Sequence, residues 1–302
     1  MKKLITVCAL ASLLALPALT RADQIVLDSE KLFSFARHFI ERQEYDRAVQ
    51  ELERLVYFFP EDATVPEARY LIGWSYFMDE RFERARKALW EVHEDYRRQE
   101  LGARALFLVG ESYRVQGIPD EAAYYYRRVL SEYPGTEVAH NSQLRLGWTQ
   151  MEAGNWEAAS DVFKGVPESS EHHDEALALS QLSLQGAEIP TKSPATAGIM
   201  AGVLPGLGHA YCNRYKDAAI SLIINGLFTW AAFEAFDRDN EALGTLLGVM
   251  ELGWYSGNVY SAINCAHKHN LKAREEFIRG LPSRLGFYSN GEDMGLALHF
   301  EF

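Results

Sequence analysis

Through the first half of the chain, apolar residues recur at i, i+3 and i+4, parted by polar turns such as RQEYD, DERFE, QGIPD and AGNWE. That spacing lays one apolar stripe along each of two successive helices per unit. Four segments align without gaps: FARHFIERQEYDRAVQELERLVYFFP, YLIGWSYFMDERFERARKALWEVHEDYR, FLVGESYRVQGIPDEAAYYYRRVLSEYP and LRLGWTQMEAGNWEAASDVFKGVP. A small residue opens each core at Ala36, Gly73, Gly110 and Gly147, a constant step of 37. A second small residue falls at Ala48, Ala85, Ala122 and Ala159, and a bulky one at Leu52, Leu89, Tyr126 and Phe163. Three columns in one register predict stacked helical hairpins that cross at the small residues, where a larger side chain would hold the helices apart. Pro60 and Pro134 close the second helix of their units, because proline cannot continue a helix; Arg97 and Glu171 hold that column elsewhere. EHHDEALALSQLSLQ adds a capping helix, and GAEIPTKSPATAG reads as a linker.

These columns resemble the tetratricopeptide repeat, most closely in the third unit, where Gly110, Tyr113, Ala122, Tyr126 and Pro134 take the signature places in order. The step is about three residues longer than the common repeat. The resemblance runs from Asp28 to Ser170 and implies a solenoid that recognises a protein or peptide without catalysis. Similar long repeats occur in periplasmic members that serve outer-membrane assembly and envelope division. In such scaffolds the first helix of each unit lines a concave groove. Carried onto this chain, the groove rows are Phe33, Tyr70, Phe107, Leu144; Arg37, Trp74, Glu111, Trp148; and Ile40, Phe77, Arg114, Met151. The resemblance thus implies a partner-binding set of Arg37, Tyr70, Trp74, Phe77, Arg114 and Trp148, with aromatic anchors for a peptide and arginines for a carboxylate. Packing of the aromatics between neighbouring helices is the alternative, and the sequence leaves both open.

After the linker the composition changes. Three apolar segments follow, Ala195 to Tyr211, Ala218 to Phe236 and Ala242 to Ala266. A membrane-spanning helix needs about 20 apolar residues. The second segment has about that length, the third is longer and polar in places, and the first is short and carries Pro205. Gly198, Gly202 and Gly206 fall four apart, as do Gly244 with Gly248 and Gly253 with Gly257, a spacing that lets helices approach closely in lipid. LPGLGHAYCNRYKDAAISLIINGLF loosely resembles the start of small bacterial two-helix membrane domains, which implies membrane residence. Glu251 and Asn258 are candidate intramembrane polar groups; an amphipathic helix at the interface is the alternative.

Arg214, Lys216, His267, Lys268, Lys272 and Arg274 flank the apolar segments, and DRDNE parts the last two. If all three segments span, this charge pattern fits an inner-membrane anchor with exported repeats. RLGFYSNGEDMGLALHFEF reads instead as a hairpin about SNGED, with Leu296, Leu298, Phe300 and Phe302 on one face. It resembles the closing strand of an outer-membrane barrel, which would need a periplasmic tail. The two signals conflict, so inner against outer membrane stays open. Cys212 and Cys265 end on one side in either arrangement.

A net charge of -12 and a pI near 5.3 exclude a basic nucleic-acid-binding face. Lys2 and Lys3, an apolar run and small residues near Ala22 form an expected signal peptide over residues 1–22. Its removal leaves Cys212 and Cys265, too few for a disulfide framework. No catalytic triad, metal-ligand spacing or cofactor loop stands out; PGLGHAY follows no strand, and adjacent His172 and His173 diverge on a helix, so they read as a solvated helix start. No enzyme activity, cofactor or metal is therefore expected. The expected architecture is all-α. It comprises a tetratricopeptide-type helical-hairpin solenoid over 23–187 (four units and a capping helix), a linker over 188–195, membrane-associated helices over 196–280 and a β-hairpin tail over 281–302. The function that follows is an envelope scaffold or adaptor that binds a protein or peptide partner while held at a membrane, with homo-oligomerisation left open. An accessory subunit of a membrane channel or transporter is the second reading.

Overall fold

The computed structural model describes residues 28–281 and, beyond them, the backbone of two strands. The expected signal peptide and the side chains of the C-terminal tail lie outside the described residues. Among the described residues, nine helices form the first part: α1 Ser29–Glu41, α2 Tyr45–Phe58, α3 Val65–Met78, α4 Phe82–Asp95, α5 Glu100–Val115, α6 Pro119–Glu132, α7 Glu137–Ala153, α8 Trp156–Lys164 and α9 His173–Ala187. Asp28 starts the series by accepting from the Lys31 amide at 2.8 Å, and Thr136 accepts from the Ala139 amide at 3.2 Å to start α7. Each side chain satisfies an amide that the first turn of a helix leaves unpaired. Gly154, at φ +82, ends α7 in the left-handed conformation that favours glycine.

The small and bulky columns meet across each hairpin. A Cβ placed on Gly73 would lie 2.6 Å from Leu89 Cγ, on Gly110 2.9 Å from Tyr126 Cε1, and on Gly147 2.4 Å from Phe163 Cε1. All of these are inside van der Waals contact, so the small residue sets how closely the helices cross. Ala36 and Leu52 are fully buried at the same places in the first unit. The first helices α3, α5 and α7 also touch in succession, which makes them the inner wall of the stack. The result is a tetratricopeptide-like helical solenoid capped by α9.

Four more helices follow: α10 Pro194–Val203, α11 Leu207–Tyr211, α12 Tyr215–Asp237 and α13 Glu241–Arg279. Pro205 lies in the break between α10 and α11, and Gly206 turns the chain at φ +89. α12 and α13 fold back on each other as a hairpin, and α10 lies along α13. The far end of α13 returns to the solenoid. Phe277, Ile278 and Leu281 join the apolar cluster of Trp148, Phe163 and Leu179, and Arg274 Nη1 donates to the Ala153 carbonyl at 3.0 Å. Lys192 and Asn270 tie the linker to α13 through two reciprocal bonds of 2.7 and 2.9 Å. Strands β1 Ser283–Asn290 and β2 Asp293–Phe300 pair antiparallel.

The glycine rows divide. Gly198 abuts Ile263, Gly206 abuts the Ala218 carbonyl, and Gly244 abuts the Phe236 ring. Gly202 and Gly248 have nothing within 4 Å of an added Cβ, nor do Gly253 and Gly257. Among the described residues no side chain packs within 4 Å of where a Cβ would stand at these four, although Tyr255 of α13 donates to the Gly202 carbonyl at 3.0 Å.

Candidate partner-binding face

The structure settles first how much of the proposed aromatic row is available. Tyr70, Trp74, Phe77 and Trp148 are only 5–8% exposed and belong to the apolar clusters between helices. Tyr45 meets Trp74 edge-on with centroids 6.0 Å apart, and Phe82 meets Phe77 at 5.9 Å. The Arg104 guanidinium sits 4.4 Å from the centre of the Tyr70 ring. These contacts place the aromatics on the packing side of the two readings, leaving a partner little more than their edges. Arg37 and Arg114 remain partly exposed, and Arg37 makes no ion pair among the described residues.

Beneath the inner wall, α5 and α7 bring together a polar cluster. Glu111 is fully buried, accepts from Tyr126 and Arg114, and has Arg145 beside it as an ion-pair partner. Tyr126 Oη donates to its Oε1 at 2.5 Å, Arg114 Nη2 donates to its Oε2 at 2.9 Å, and Arg145 Nε lies 3.1 Å from Oε1. Glu111 stands in the Trp74–Trp148 row and Arg114 one turn further along α5, so the 37-residue register places the pair. Arg145, on α7, lay outside the three rows. Its only sequence signal was an arginine on the otherwise apolar LRLGW stripe.

The electrostatics follow from this burial. Burial pushes the Tyr126 hydroxyl well above its ordinary range, and the adjacent Glu111 carboxylate adds to the shift. Burial lowers the pKa of Arg145, with Glu111 opposing. Burial also works against the charge of Arg114, yet Glu111 more than offsets it and the pKa rises. Glu111 therefore acts as the shared counter-ion of two arginines. In this cluster Arg145, through Nε and Nη2, and Trp148, through Nε1, have no hydrogen-bond acceptor among the described residues. They sit three residues apart on α7, which puts them on one face.

In the apolar module, Glu251 reaches Thr229 across the α12–α13 hairpin, while its Oε2 has no partner. Asn258 is buried with neither amide atom hydrogen-bonded. Cys212 and Cys265, both buried and reduced, are in hydrogen-bonding contact, and burial together with that contact raises the Cys212 thiol to about 11.

The crossings and the inner wall define a solenoid of stacked helical hairpins, tetratricopeptide-like in form. Residues 104–136 match the family described as Tetratricopeptide repeat. Among solved structures, the chain is similar to MamA at 21% identity, covering 53% of this chain and 79% of that one with a TM-score of 0.35. It is also similar to YrrB, titled a TPR protein with an unusual peptide-binding site, at 16% identity, 53% and 79% coverage and a TM-score of 0.37. The TPR2AB domain of yeast Sti1 in its pHSP90 complex is similar at 12% identity, 83% and 98% coverage and a TM-score of 0.33. No curated protein sequence matches the chain.

Proposed function

We propose that the protein is a non-enzymatic scaffold that receives a peptide segment of another protein along the inner wall of α5 and α7. The observation that carries this reading is Arg114, which is partly exposed on the inner wall and anchored there by the buried Glu111. A carboxylate is the best match, since a guanidinium holds it through two parallel bonds. Binding of fluorescent peptides that differ only in a free or amidated C-terminus tests this. Arg114→Gln should weaken binding of the carboxylate form about tenfold with helicity unchanged. Equal binding of both peptides, or no effect of the substitution, contradicts it.

The second half of the proposal is membrane attachment. α12 is 23 residues long with a mean hydropathy of 1.5 over its most apolar window, and little of that window is covered. Ile223, Leu227, Trp230 and Phe233 on α12, with Leu246, Val249 and Leu252 on α13, all face outward. A helix of that length reaches about 34 Å, enough to cross the hydrocarbon core. The 10 residues of α10 reach about 15 Å and cannot cross it. A two-helix hairpin then returns to the side it left, so the solenoid, Arg214, Lys268 and the two strands share one side of the bilayer. A signal peptide over residues 1–22, as expected from the sequence, would carry that side out of the cytoplasm, where the partner would be an envelope protein. Proteolysis of intact spheroplasts tests the placement: the solenoid should be digested from outside, and protection of the solenoid contradicts it.

A further inference from the structure

Outside the inner wall, the joint between α7 and α9 gathers acidic and imidazole side chains that neither packing nor the repeat pattern requires. We propose that Glu137, Glu171 and His172 bind a first-row divalent transition ion of the Zn2+ type, clamping the capping helix to the last repeat.

The distances motivate this. His172 Nε2 lies 3.5 Å from Glu137 Oε1 and 3.5 Å from Glu171 Oε1. One ligand atom from each of the three residues falls within 4.8 Å of the others. A 3.5 Å separation is long for an N–H···O hydrogen bond. It is close to the separation of about 3.4 Å between two ligands held at ~2.1 Å by one tetrahedral ion.

Two buried groups back the site. The Glu175 side chain is 8% exposed, and its Oε2 lies 3.5 Å from His172 Nδ1. That carboxylate faces Nδ1, which leaves Nε2 on the side of Glu137 and Glu171. Glu175 Oε1 is sealed from solvent and meets no donor. His140, one turn along α7 from Glu137, is 9% exposed; its Nδ1 lies 3.5 Å from Glu137 Oε2 and has no hydrogen-bond partner. It stands beside the three ligands, on the other oxygen of Glu137, and is not one of them.

Charge points the same way. Among the described residues, no lysine or arginine forms an ion pair with Glu137, Glu171 or Glu175, and every pair they make is to a histidine. The positive end of α7 explains a carboxylate at its first turn. It does not explain three carboxylates converging on one imidazole. His173 takes no part, because its Nδ1 bonds the Val166 carbonyl at 2.8 Å. A mixed imidazole and carboxylate donor set suits Zn2+ and its neighbours better than Mg2+ or Ca2+, which prefer all-oxygen shells.

Full-length protein stripped with a chelator, then titrated calorimetrically with Zn2+, tests the site, and Co2+ serves as a spectroscopic probe. The expected result is one saturable Zn2+ site, visible cobalt absorption bands, and a rise in thermal midpoint on metal addition. His172→Gln and Glu171→Gln should each weaken binding at least tenfold. Glu171 is 76% exposed, so its substitution reports on binding even if His172→Gln fails to fold. Absence of saturable binding, unchanged affinity in Glu171→Gln, or an equal response to Mg2+ would overturn the proposal.

Discussion

Arg145 Nε lies 3.1 Å from Glu111 Oε1, and both side chains are shut away from solvent on adjacent first helices of the solenoid. The pair joins the third repeat to the fourth, with Tyr126 and Arg114 completing the shell of the carboxylate. Two consequences follow, one for stability and one for recognition. The carboxylate cannot be removed without stranding two arginines. Arg114, the less buried of the two, reaches the wall on which a partner would lie.

Glu111→Ala should destabilise the fold by roughly 3–5 kcal/mol, because it leaves buried guanidinium charge uncompensated. The double substitution Glu111→Leu with Arg145→Met should recover much of that loss, since an apolar pair has no charge to strand. Urea unfolding of the single and double variants checks both.

Gly147→Val places methyl groups where Phe163 already sits, with even the first added carbon only 2.4 Å from its ring. Overpacking of this kind costs about 1–3 kcal/mol. The same substitution at Gly117, where nothing lies within 4 Å, should act only through its positive φ and leave the interhelical crossing intact. Denaturation midpoints with Phe163→Ala added to Gly147→Val should show partial rescue.

His93 links α4 to α5: its Nδ1 faces the Gly102 carbonyl at 3.2 Å and the Tyr133 hydroxyl at 3.0 Å. Burial depresses its pKa below 6.5. The unfolded chain therefore takes up a proton before the folded chain does. Stability should fall as pH drops from about 6.5 toward the lower folded value, then level off. His93→Gln should flatten that slope in thermal midpoints measured across the window.

Cys212 and Cys265 are already in contact, one at the end of α11 and one inside α13. In an oxidising compartment they should form an internal disulfide with little rearrangement. Alkylation of the protein as isolated, before and after reduction, reads this out. Two free thiols under oxidising conditions would contradict the expected placement outside the cytoplasm.

The crossings were legible in the sequence because one physical constraint repeats: Gly73, Gly110 and Gly147 each face a bulky partner, and a fixed step exposes both columns. The state of the groove was less legible. Trp74 and Trp148 occupy columns whose openness depends on how tightly adjacent repeats stack, and spacing does not encode that. Arg145 escaped the row pattern because its role comes from Glu111 on another repeat. Glu137 and His172 lie on helices separated by all of α8, so only the folded chain shows them together. Gly202 and Gly248 mark the opposite limit, where the spacing was real but nothing among the described residues packs within 4 Å of where a Cβ would stand.

Membrane attachment is the central claim, and extraction of cell membranes with alkaline carbonate tests it most directly. The full chain should stay with the bilayer and be released only by detergent. Lysines placed at Ile223, Leu227 and Val249 should shift it to the supernatant. Quantitative release of the unaltered chain by carbonate alone would contradict the claim.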